Sequence, residues 1–386
     1  MTHTDPDDSK QQPSLSANRV SLENLFAQNQ IDLRRGVLFD QPPGPMPGTM
    51  EFDRVEGMLL GLAIGDALGN TSEGMLPRVR QRVHGEITDY LPNRYARNHP
   101  VGLPSDDTQM AFWTLEQLIA DGRLDPEALA DRFAHNRIIG MGQTVRKFQG
   151  RRRWWNLPWY RCGVKSAGNG ALMRIAPVLL PHLSTGSADL WIDVVTAAII
   201  THNDSASTAA CLAYVSMLWQ LLQMGTAPAP QWWLDQYLLV ARELEIDDSY
   251  QPKAILFETY RGTLWQYVSE RVSDAWTRQM DALSACNAWC SGAYLFETMP
   301  SALYILMNHA HDPEEAIIRA VNDTKDNDTL AAIVGAAVGA LHGRRALPER
   351  WIEALLGRTS TNDDSHVFEL LSQARQLWWP DATERP

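Results

Sequence analysis

Several common signals are missing from this sequence of 386 residues. It holds only four cysteines, with no CxxC pair and no histidine set beside them, so we expect buried, reduced thiols rather than metal ligands. No run of about 18 apolar residues occurs, which predicts that no segment spans a membrane. The first residues, MTHTDPDDSKQQ, are polar and acidic, unlike a signal peptide. These absences predict a soluble protein of the cytoplasm.

Positive charge is also scarce. The chain has 34 Lys and Arg against 46 Asp and Glu, which gives a formal net charge of −12. Nucleic acids and anionic membranes bind cationic surfaces, so neither is an expected partner. An anionic small ligand is not excluded, provided that metal ions supply the positive charge.

Alternating strand patterns are nearly absent, and residues 85–92 (GEITDYLP) are the only short strand candidate. From Val55 onward the chain reads as a series of helical segments of roughly 10 to 20 residues, each bounded by Gly, Pro or Asp. Residues 170–183 (GALMRIAPVLLPHL) are one of these segments. Because no repeat of fixed period occurs, the pattern predicts one compact all-α domain of many helices over residues 51–380.

Residues 1–50 stand apart from that domain as an N-terminal arm. The first part of the arm is polar with Pro and Ser, as in disordered segments. Leu22, Leu25 and Phe26 then recur at helical spacing, which predicts a short amphipathic helix, and the run QPPGPMPG closes the arm. The pattern leaves open whether this helix docks on its own domain, docks on another protein or belongs to a disordered tail.

Two apolar segments carry glycines four positions apart, Gly61 and Gly65 in the first and Gly335 and Gly339 in the second. Small residues at this spacing allow two helices to approach closely. We therefore expect this helix pair to lie deep in the domain, with its polar ends lining a pocket between helices.

Residues 322–329 (NDTKDNDT) hold three aspartates directly before the second of these segments. Acidic residues at a helix start are often ordinary caps, and we assign that role to Asp323. Asp326, Asp328 and Thr329 instead offer three hard oxygen donors in four residues, as a Mg²⁺ or Ca²⁺ site requires. An EF-hand is excluded, because no Gly occupies its sixth position in either register. The other half of such a site must come from elsewhere in the chain.

Ser105, Asp106, Asp107 and Thr108 (SDDT) form a matching cluster, again directly before an amphipathic segment. Each cluster alone is compatible with a helix cap, but carboxylates that share one pocket repel each other unless cations lie between them. We therefore predict a metal site built from both clusters. Its oxygen donors favour Mg²⁺, or alternatively Mn²⁺, over Zn²⁺ or Cu²⁺.

Three further motifs offer polar groups, although each also has a structural interpretation. Glu73 follows the first apolar helix in a polar loop, where a glutamate is often merely solvated. Gly168, Asn169 and Gly170 precede a predicted helix, and a helix N-terminus with free backbone N–H groups suits a phosphate. His202 lies at a helix junction, where a histidine often serves only as a structural hydrogen-bonding residue.

The motifs and their order resemble the ADP-ribosylglycohydrolase family, which includes the hydrolase that reactivates ADP-ribosylated dinitrogenase reductase. The resemblance covers roughly residues 55–376 and rests on GLAIGDALGNTSE, SDDT, SAGNGALMRIAP, THNDSAS and the DNDT before LAAIVGAAVGAL. It implies an all-α fold with two Mg²⁺ ions. The implied metal ligands are Ser105, Asp106, Asp107, Asp326, Asp328 and Thr329.

The resemblance also implies which residues contact the substrate. Glu73 matches the family's loop glutamate near the scissile bond, and His202 matches the histidine of its TH motif. The loop at the diphosphate corresponds to Gly168, Asn169 and Gly170.

The chemistry implied by the resemblance is hydrolysis of the glycosidic bond of ADP-ribose, through an oxocarbenium-like transition state. The metal ions can hold the ribose hydroxyls and orient a water, while a carboxylate takes the water's proton. Glu73, Asp107 and Asp326 are the candidates for catalysis, and the sequence does not decide which carboxylate is the base.

The sequence departs from the family's pattern beside the second acidic cluster. Thr324 and Lys325 stand where the family usually has two glycines, and Asn327 replaces the inner threonine of its DTDT motif. The three ligand positions are unaffected. Lys325 adds positive charge and bulk beside the expected metals, so it bears on ligand access and on the choice of substrate.

Two functions follow from the resemblance. The first is an enzyme that removes ADP-ribose from mono-ADP-ribosylated protein, with arginine as the expected acceptor. The second is a binding inhibitor, since some family members resemble immunity proteins whose added arm occupies the active site of an ADP-ribosyltransferase toxin. Residues 1–50 fit that subgroup, so both functions can coexist in one chain.

Overall fold

A computed structural model describes residues 16–253 and 259–379 of the chain. Within these ranges the fold is all-α, as the sequence predicted. The helices are α1 (Ala17–Ala27), α2 (Asp53–Asn70), α3 (Pro77–His84), α4 (Asp106–Asp121), α5 (Pro126–His135), α6 (Gln143–Arg153), α7 (Trp159–Cys162), α8 (Asp189–Ile199), α9 (Ser205–Leu221), α10 (Pro230–Leu244), α11 (Leu264–Thr277), α12 (Ala282–Ala288), α13 (Leu295–His309), α14 (Pro313–Asp323), α15 (Asn327–His342), α16 (Glu349–Ala354) and α17 (His366–Trp378).

The candidate strand at residues 85–92 does not form, and the described residues contain only isolated β-bridges. The side chain of Asn322 takes the place of a strand partner, because its Oδ1 accepts from Ile87 N–H at 2.8 Å and its Nδ2 donates to Ile87 O at 2.8 Å. Trp351 Nε1 donates to Thr88 O at 3.1 Å. These backbone groups are therefore satisfied by side chains, and no second strand is needed.

Helices α2 and α15 lie at the centre of the fold, and their backbones touch. A Cβ atom built on Gly61 would lie 2.1 Å from Gly335 O, and one on Gly65 would lie 2.0 Å from Ala331 O. Both helices are buried over most of their length. The spacing of the glycines correctly predicted a close helix pair deep in the domain.

Residues 170–183 were predicted as one helix, and this prediction is wrong. The segment instead forms two short 3₁₀ helices, Leu172–Arg174 and Ala176–His182. Pro177 and Pro181 have no backbone N–H, so a continuous α-helical hydrogen-bond ladder cannot form here. The loop of Gly168, Asn169 and Gly170 (the Gly168 loop) consequently lacks the α-helix N-terminus that we expected behind it.

The described part of the N-terminal arm packs on the rest of the chain. Leu22 in α1 and Phe39 are fully buried. Polar contacts flank them, because Asn18 Nδ2 donates to Asp193 Oδ1 at 2.7 Å and Arg19 Nε lies 2.6 Å from Asp189 Oδ1, both aspartates belonging to α8. Of the possibilities left open by the sequence, this structure has the arm helix docked on its own chain. The polar start, residues 1–15, lies outside the described residues.

None of the helices in the described ranges is long and apolar enough to cross a lipid bilayer.

Candidate metal centre and substrate cavity

The acidic centre begins with Asp66, whose carboxylate is fully buried near the C-terminal end of α2. It accepts hydrogen bonds from the backbone N–H of Ser105 at 2.9 Å and from the backbone N–H (3.0 Å) and hydroxyl (2.6 Å) of Thr108. Asp66 thereby caps α4 from a neighbouring helix. The Ser105 hydroxyl donates instead to Asp107 Oδ2, 3.1 Å away. These contacts hold Asp106 and Asp107 at the start of α4, inside the domain.

The second acidic segment opens α15, with Asp326 as the N-cap and Asp328 in the first turn. Asp328 Oδ1 accepts from the backbone N–H of Thr329 at 2.9 Å. Asp326 Oδ2 accepts from Asn169 Nδ2 at 2.7 Å, and the same amide nitrogen lies 3.1 Å from Thr298 Oγ1. The amide of Asn169 therefore fastens the Gly168 loop to the acidic segment.

The two segments meet in two adjoining groups of carboxylates. Oxygen atoms of Asp66, Asp107 and Asp328 lie within 4.8 Å of one another, as do oxygens of Glu73, Asp326 and Asp328. Asp328 belongs to both groups, so the two groups adjoin, and each has the oxygen spacing of a site that could hold a metal ion. Asp107 Oδ1 is buried without a hydrogen-bond partner among the described residues, a state that a bound cation would satisfy. Oxygen donors of this kind suit Mg²⁺ or Mn²⁺.

Burial raises the pKa of each carboxyl group in this centre, because a charged carboxylate loses its water of solvation. The pKa of Asp106 is raised to about 8, with a further contribution from the charge of Asp66, and that of Asp326 to about 7. The pKa values of Asp107 and Asp328 lie well above the ordinary value of 3.8 for the same reason. Each carboxylate also raises the pKa of its neighbours by repulsion. Full ionisation of this centre is therefore unfavourable unless cations compensate its negative charge.

The loop that carries Glu73 is tied to the start of α15 by two buried side chains. The guanidinium of Arg80 donates to Ser72 Oγ at 3.0 Å and to Thr324 O at 2.6 Å. Asn327, which is fully buried, donates to the same Ser72 Oγ at 3.0 Å. Asn327, the residue that departs from the family's motif, therefore positions the glutamate loop instead of facing a ligand.

A cavity of about 340 Å³ opens beside the carboxylates. Its size suits a small organic ligand, since such pockets measure about 300–1,000 Å³. The lining combines the acidic centre, the Gly168 loop and further residues that include Lys253 and Tyr294. Its lining residues include Glu73, Asp106, Asp107, Gly140, Gly168, Asn169, Gly170, His202, Lys253, Tyr294, Asp326, Asp328 and Thr329.

His202 lines this cavity as a neutral imidazole. Burial, aided by the charge of Arg174, lowers its pKa to about 3. Thr201 Oγ1 accepts from an Arg174 guanidinium nitrogen at 2.8 Å and lies 2.9 Å from His202 Nδ1. Among the described residues, Nδ1 is the one acceptor within hydrogen-bond distance of the Thr201 hydroxyl, so we assign the hydroxyl proton to Nδ1 and the ring proton to Nε2. Nε2 sits at the Gly168 loop, where it would lie 3.3 Å from a Cβ atom on Gly170.

Most of the site residues expected from the sequence lie around this one cavity. Lys325 is not among the lining residues, so it does not obstruct the cavity as its position suggested. Its backbone N–H lies 3.1 Å from Ser291 Oγ. The assignment of Asp323 as a cap of the second helix is wrong, because Asp323 is the last residue of α14 and pairs with Arg319 at 3.5 Å.

Two residues of the site escaped the sequence analysis. In the sequence, Asp66 is a carboxylate near the end of an apolar helical segment. A charged residue inside such a segment was the signal that could have marked it. Arg80 lies in an otherwise exposed, basic helix, where nothing in the pattern distinguishes it from Arg78 or Arg82. Its position under the glutamate loop results from tertiary packing.

Comparison with known proteins agrees with this geometry. A model of the ADP-ribosylglycohydrolase family matches residues 47–380. The ADP-ribosyl-[dinitrogen reductase] glycohydrolase of Rhodospirillum rubrum is 29% identical over 335 residues, which cover 85% of this chain and 99% of that protein. The ADP-ribosylarginine hydrolase Tri1 of Pseudomonas putida is 27% identical over 321 residues, or 78% of this chain and 74% of that protein.

A solved structure, described as an ADP-ribosylglycohydrolase-related protein complex, shares the fold with a TM-score of 0.61. It is 26% identical and the match covers 85% of this chain and 98% of that one. The sequence resemblance is thus confirmed over nearly the whole length of the described chain. This protein belongs to the ADP-ribosylglycohydrolase family.

Proposed function

We propose that this protein is a Mg²⁺-dependent hydrolase that releases ADP-ribose from mono-ADP-ribosylated protein, with arginine as the acceptor. The observation that carries the proposal is the meeting of Asp107, Asp326 and Asp328 beside the Gly168 loop in one cavity. Two relatives, an ADP-ribosyl-[dinitrogen reductase] glycohydrolase and an ADP-ribosylarginine hydrolase, support the choice of bond.

Different residues of the cavity bind different parts of the substrate. The Nε2–H of His202 is a fixed hydrogen-bond donor toward an anionic or hydroxyl oxygen of the substrate. Asn169 keeps the Gly168 loop against Asp326, so the diphosphate and the sugar are held at a set distance from each other. When bound, divalent cations supply the positive charge that orients the ribose hydroxyls and lowers the pKa of nearby water.

Glu73 is the residue we assign to proton transfer. It lines the cavity with an exposed side chain, and desolvation by its surroundings together with the charge of Asp66 raises the pKa of its carboxyl. A raised pKa suits a group that takes a proton from water and returns it to the departing arginine. In the overall reaction water adds to the anomeric carbon, the C–N bond breaks, and the guanidine leaves protonated.

The test is release of free ADP-ribose from a mono-ADP-ribosylated arginine protein, with Mg²⁺ and with EDTA. Asp106→Ala and Asp326→Ala should each slow release by at least about 100-fold, and should abolish the Mg²⁺-induced rise in melting temperature. Asp248→Ala is the matched control, since Asp248 is exposed and lines neither the carboxylate centre nor its cavity. Full activity of a variant that carries both Asp106→Ala and Asp326→Ala would reject the metal-site assignment.

The choice of acceptor is tested separately. The same protein assay with serine-linked ADP-ribose should give a much lower kcat/KM than the arginine-linked substrate. A preference for the serine linkage would overturn the arginine assignment while leaving the hydrolase proposal in place.

A toxin-binding role for residues 1–50 stays a prediction from the family resemblance. Deleting all fifty residues is a poor test, because it would remove Leu22 and Phe39 from the core. Deletion of residues 1–15 leaves those contacts intact. If that shorter deletion weakens binding to a cognate transferase while hydrolysis persists, the arm acts on a partner; unchanged binding contradicts the idea.

A further inference from the structure

We propose that a second cavity, adjoining the first at Glu73, is the docking site for an acidic segment of the modified target protein. The proposal rests on the proposed function. This cavity measures about 890 Å³. We call it the acceptor cavity; its principal lining residues are Glu73, Arg94, Tyr95, Arg137, Ile139 and Gly140.

The two cavities are neighbours. Glu73 and Gly140 line both of them, and Ser105 lines the acceptor cavity directly before Asp106, which lines the first. A Cβ atom on Gly140 would lie 3.0 Å from Asp106 Oδ1, so the junction runs along the carboxylate centre itself. The Gly168 loop lines only the first cavity. A substrate whose diphosphate lies at that loop therefore reaches the acceptor cavity with its other end.

The small volume of the first cavity explains why a modified protein needs a second binding surface. The first has the volume of a small-ligand pocket, so a polypeptide attached to the anomeric carbon must leave it. The acceptor cavity begins at Glu73, the residue to which we assign proton transfer at the departing arginine. The chain on either side of that arginine would then lie against the wall formed by residues 92–98 and 137–140.

The charge of this wall is opposite to that of the protein. Among the described residues, no carboxylate lies within 4 Å of the guanidinium groups of Arg94 or Arg137, whereas Arg358 is paired with Asp364. Glu73 is the single carboxylate in the lining. Two uncompensated arginines on a chain of formal charge −12 indicate attraction of an acidic partner.

Exposed apolar surface lies beside these arginines. Tyr95 is 69% exposed and Ile139 is 38% exposed. The guanidinium of Arg94 lies 4.6 Å from the centroid of the Tyr95 ring. Tyrosine and arginine are the side chains most often found at the energetic centre of protein interfaces. The combination fits a polypeptide better than a nucleic acid, whose many phosphates require more positive charge than two arginines supply.

The experiment compares substrates of different size on one variant. Arg94→Glu combined with Arg137→Glu is assayed on ADP-ribosylated agmatine and on ADP-ribosylarginine peptides with acidic or basic flanks. We expect KM for the acidic peptide to rise about 10-fold more than KM for agmatine. KM for the basic peptide should fall relative to the unaltered protein. The matched control is Arg153→Glu with Arg161→Glu, an equal change of charge at exposed arginines outside both cavities.

Three other outcomes would contradict the proposal or the function on which it rests. Equal increases in KM for agmatine and for both peptides would make the two arginines part of the ADP-ribose site. An equal loss on an ADP-ribosylated oligonucleotide would indicate a general polyanion site instead of a polypeptide site. If the unaltered protein released ADP-ribose neither from ADP-ribosylated agmatine nor from the ADP-ribosylarginine peptides, the proposed function itself would be overturned.

Discussion

The hydroxyl oxygen of Thr201 lies 2.9 Å from Nδ1 of His202, on the side of the imidazole away from the cavity. The same oxygen accepts a hydrogen bond from the buried guanidinium of Arg174 at 2.8 Å. An arginine can only donate, and among the described residues Nδ1 is the one acceptor near this hydroxyl, so we assign the Thr201 proton to Nδ1. A residue that does not line the cavity thereby decides which ring nitrogen of His202 presents a proton to it.

Replacing Thr201 by valine removes the hydroxyl that determines the tautomer of His202. We expect Thr201→Val to raise KM for the ADP-ribosylated substrate about 5-fold to 10-fold, in keeping with the loss of about 1 kcal/mol from one well-oriented hydrogen bond. The ring ¹⁵N shifts of His202 should move from the Nε2–H pattern toward a mixture of tautomers. Thr196→Val is the control, because the buried hydroxyl of Thr196 has no partner among the described residues. Unchanged ¹⁵N shifts would contradict the assigned tautomer.

Cation binding should depend steeply on pH. The pKa of Asp106 is raised to about 8 and that of Asp326 to about 7, so these groups must release protons before they can bind a cation. We expect Mg²⁺ affinity to rise from pH 5 to pH 8. Calorimetry in buffers of different ionisation enthalpy should detect the released protons. An affinity independent of pH would show that the centre is already ionised.

The metal-free protein should show the opposite trend in stability. A carboxyl group with a folded-state pKa above its unfolded value of 3.8 binds more protons in the folded state. Its contribution is fully present below about pH 4 and is lost as the pH rises through about 8. In EDTA the free energy of unfolding should therefore fall across this window. Saturating Mg²⁺ should remove the fall, and denaturation curves at several pH values measure both.

Removing one charge from the centre should separate stability from function. Asp107 is buried and its Oδ1 has no hydrogen-bond partner among the described residues. Asp107→Asn is expected to raise the melting temperature in EDTA, because a repelled and desolvated carboxylate is replaced by a neutral amide. The same variant should lose most of the stabilisation by Mg²⁺. Asp248→Asn, at an exposed site, should change neither value.

The contact of α2 with α15 is expected to tolerate no side chain. In Gly61→Ala the new Cβ would lie 2.1 Å from Gly335 O, so the two central helices would have to separate. We expect a loss of about 3 kcal/mol in the free energy of unfolding, at the upper end of what overpacking costs. Gly225→Ala meets nothing within 4 Å and serves as the control. Equal denaturant midpoints for the two variants would contradict the close approach.

The sequence by itself determined the all-α class, the close pairing of the two glycine-bearing helices and the family. These features depend on local periodicity and on motif content, which are readable without coordinates. It also indicated that the SDDT and NDTKDNDT segments act together, because clustered carboxylates without cations are unfavourable wherever they meet.

Only the tertiary structure decided how the centre is assembled. Asp66 and Arg80 look ordinary in sequence, and they acquire their roles from the loops that fold over them. The helix expected behind the Gly168 loop failed because two prolines broke its ladder, a local effect that apolar periodicity concealed. The tautomer of His202 depends on Arg174 as well as on the adjacent Thr201, and the junction of two cavities at Glu73 depends on residues far apart in the chain. Their approach is a property of packing, which no local pattern records.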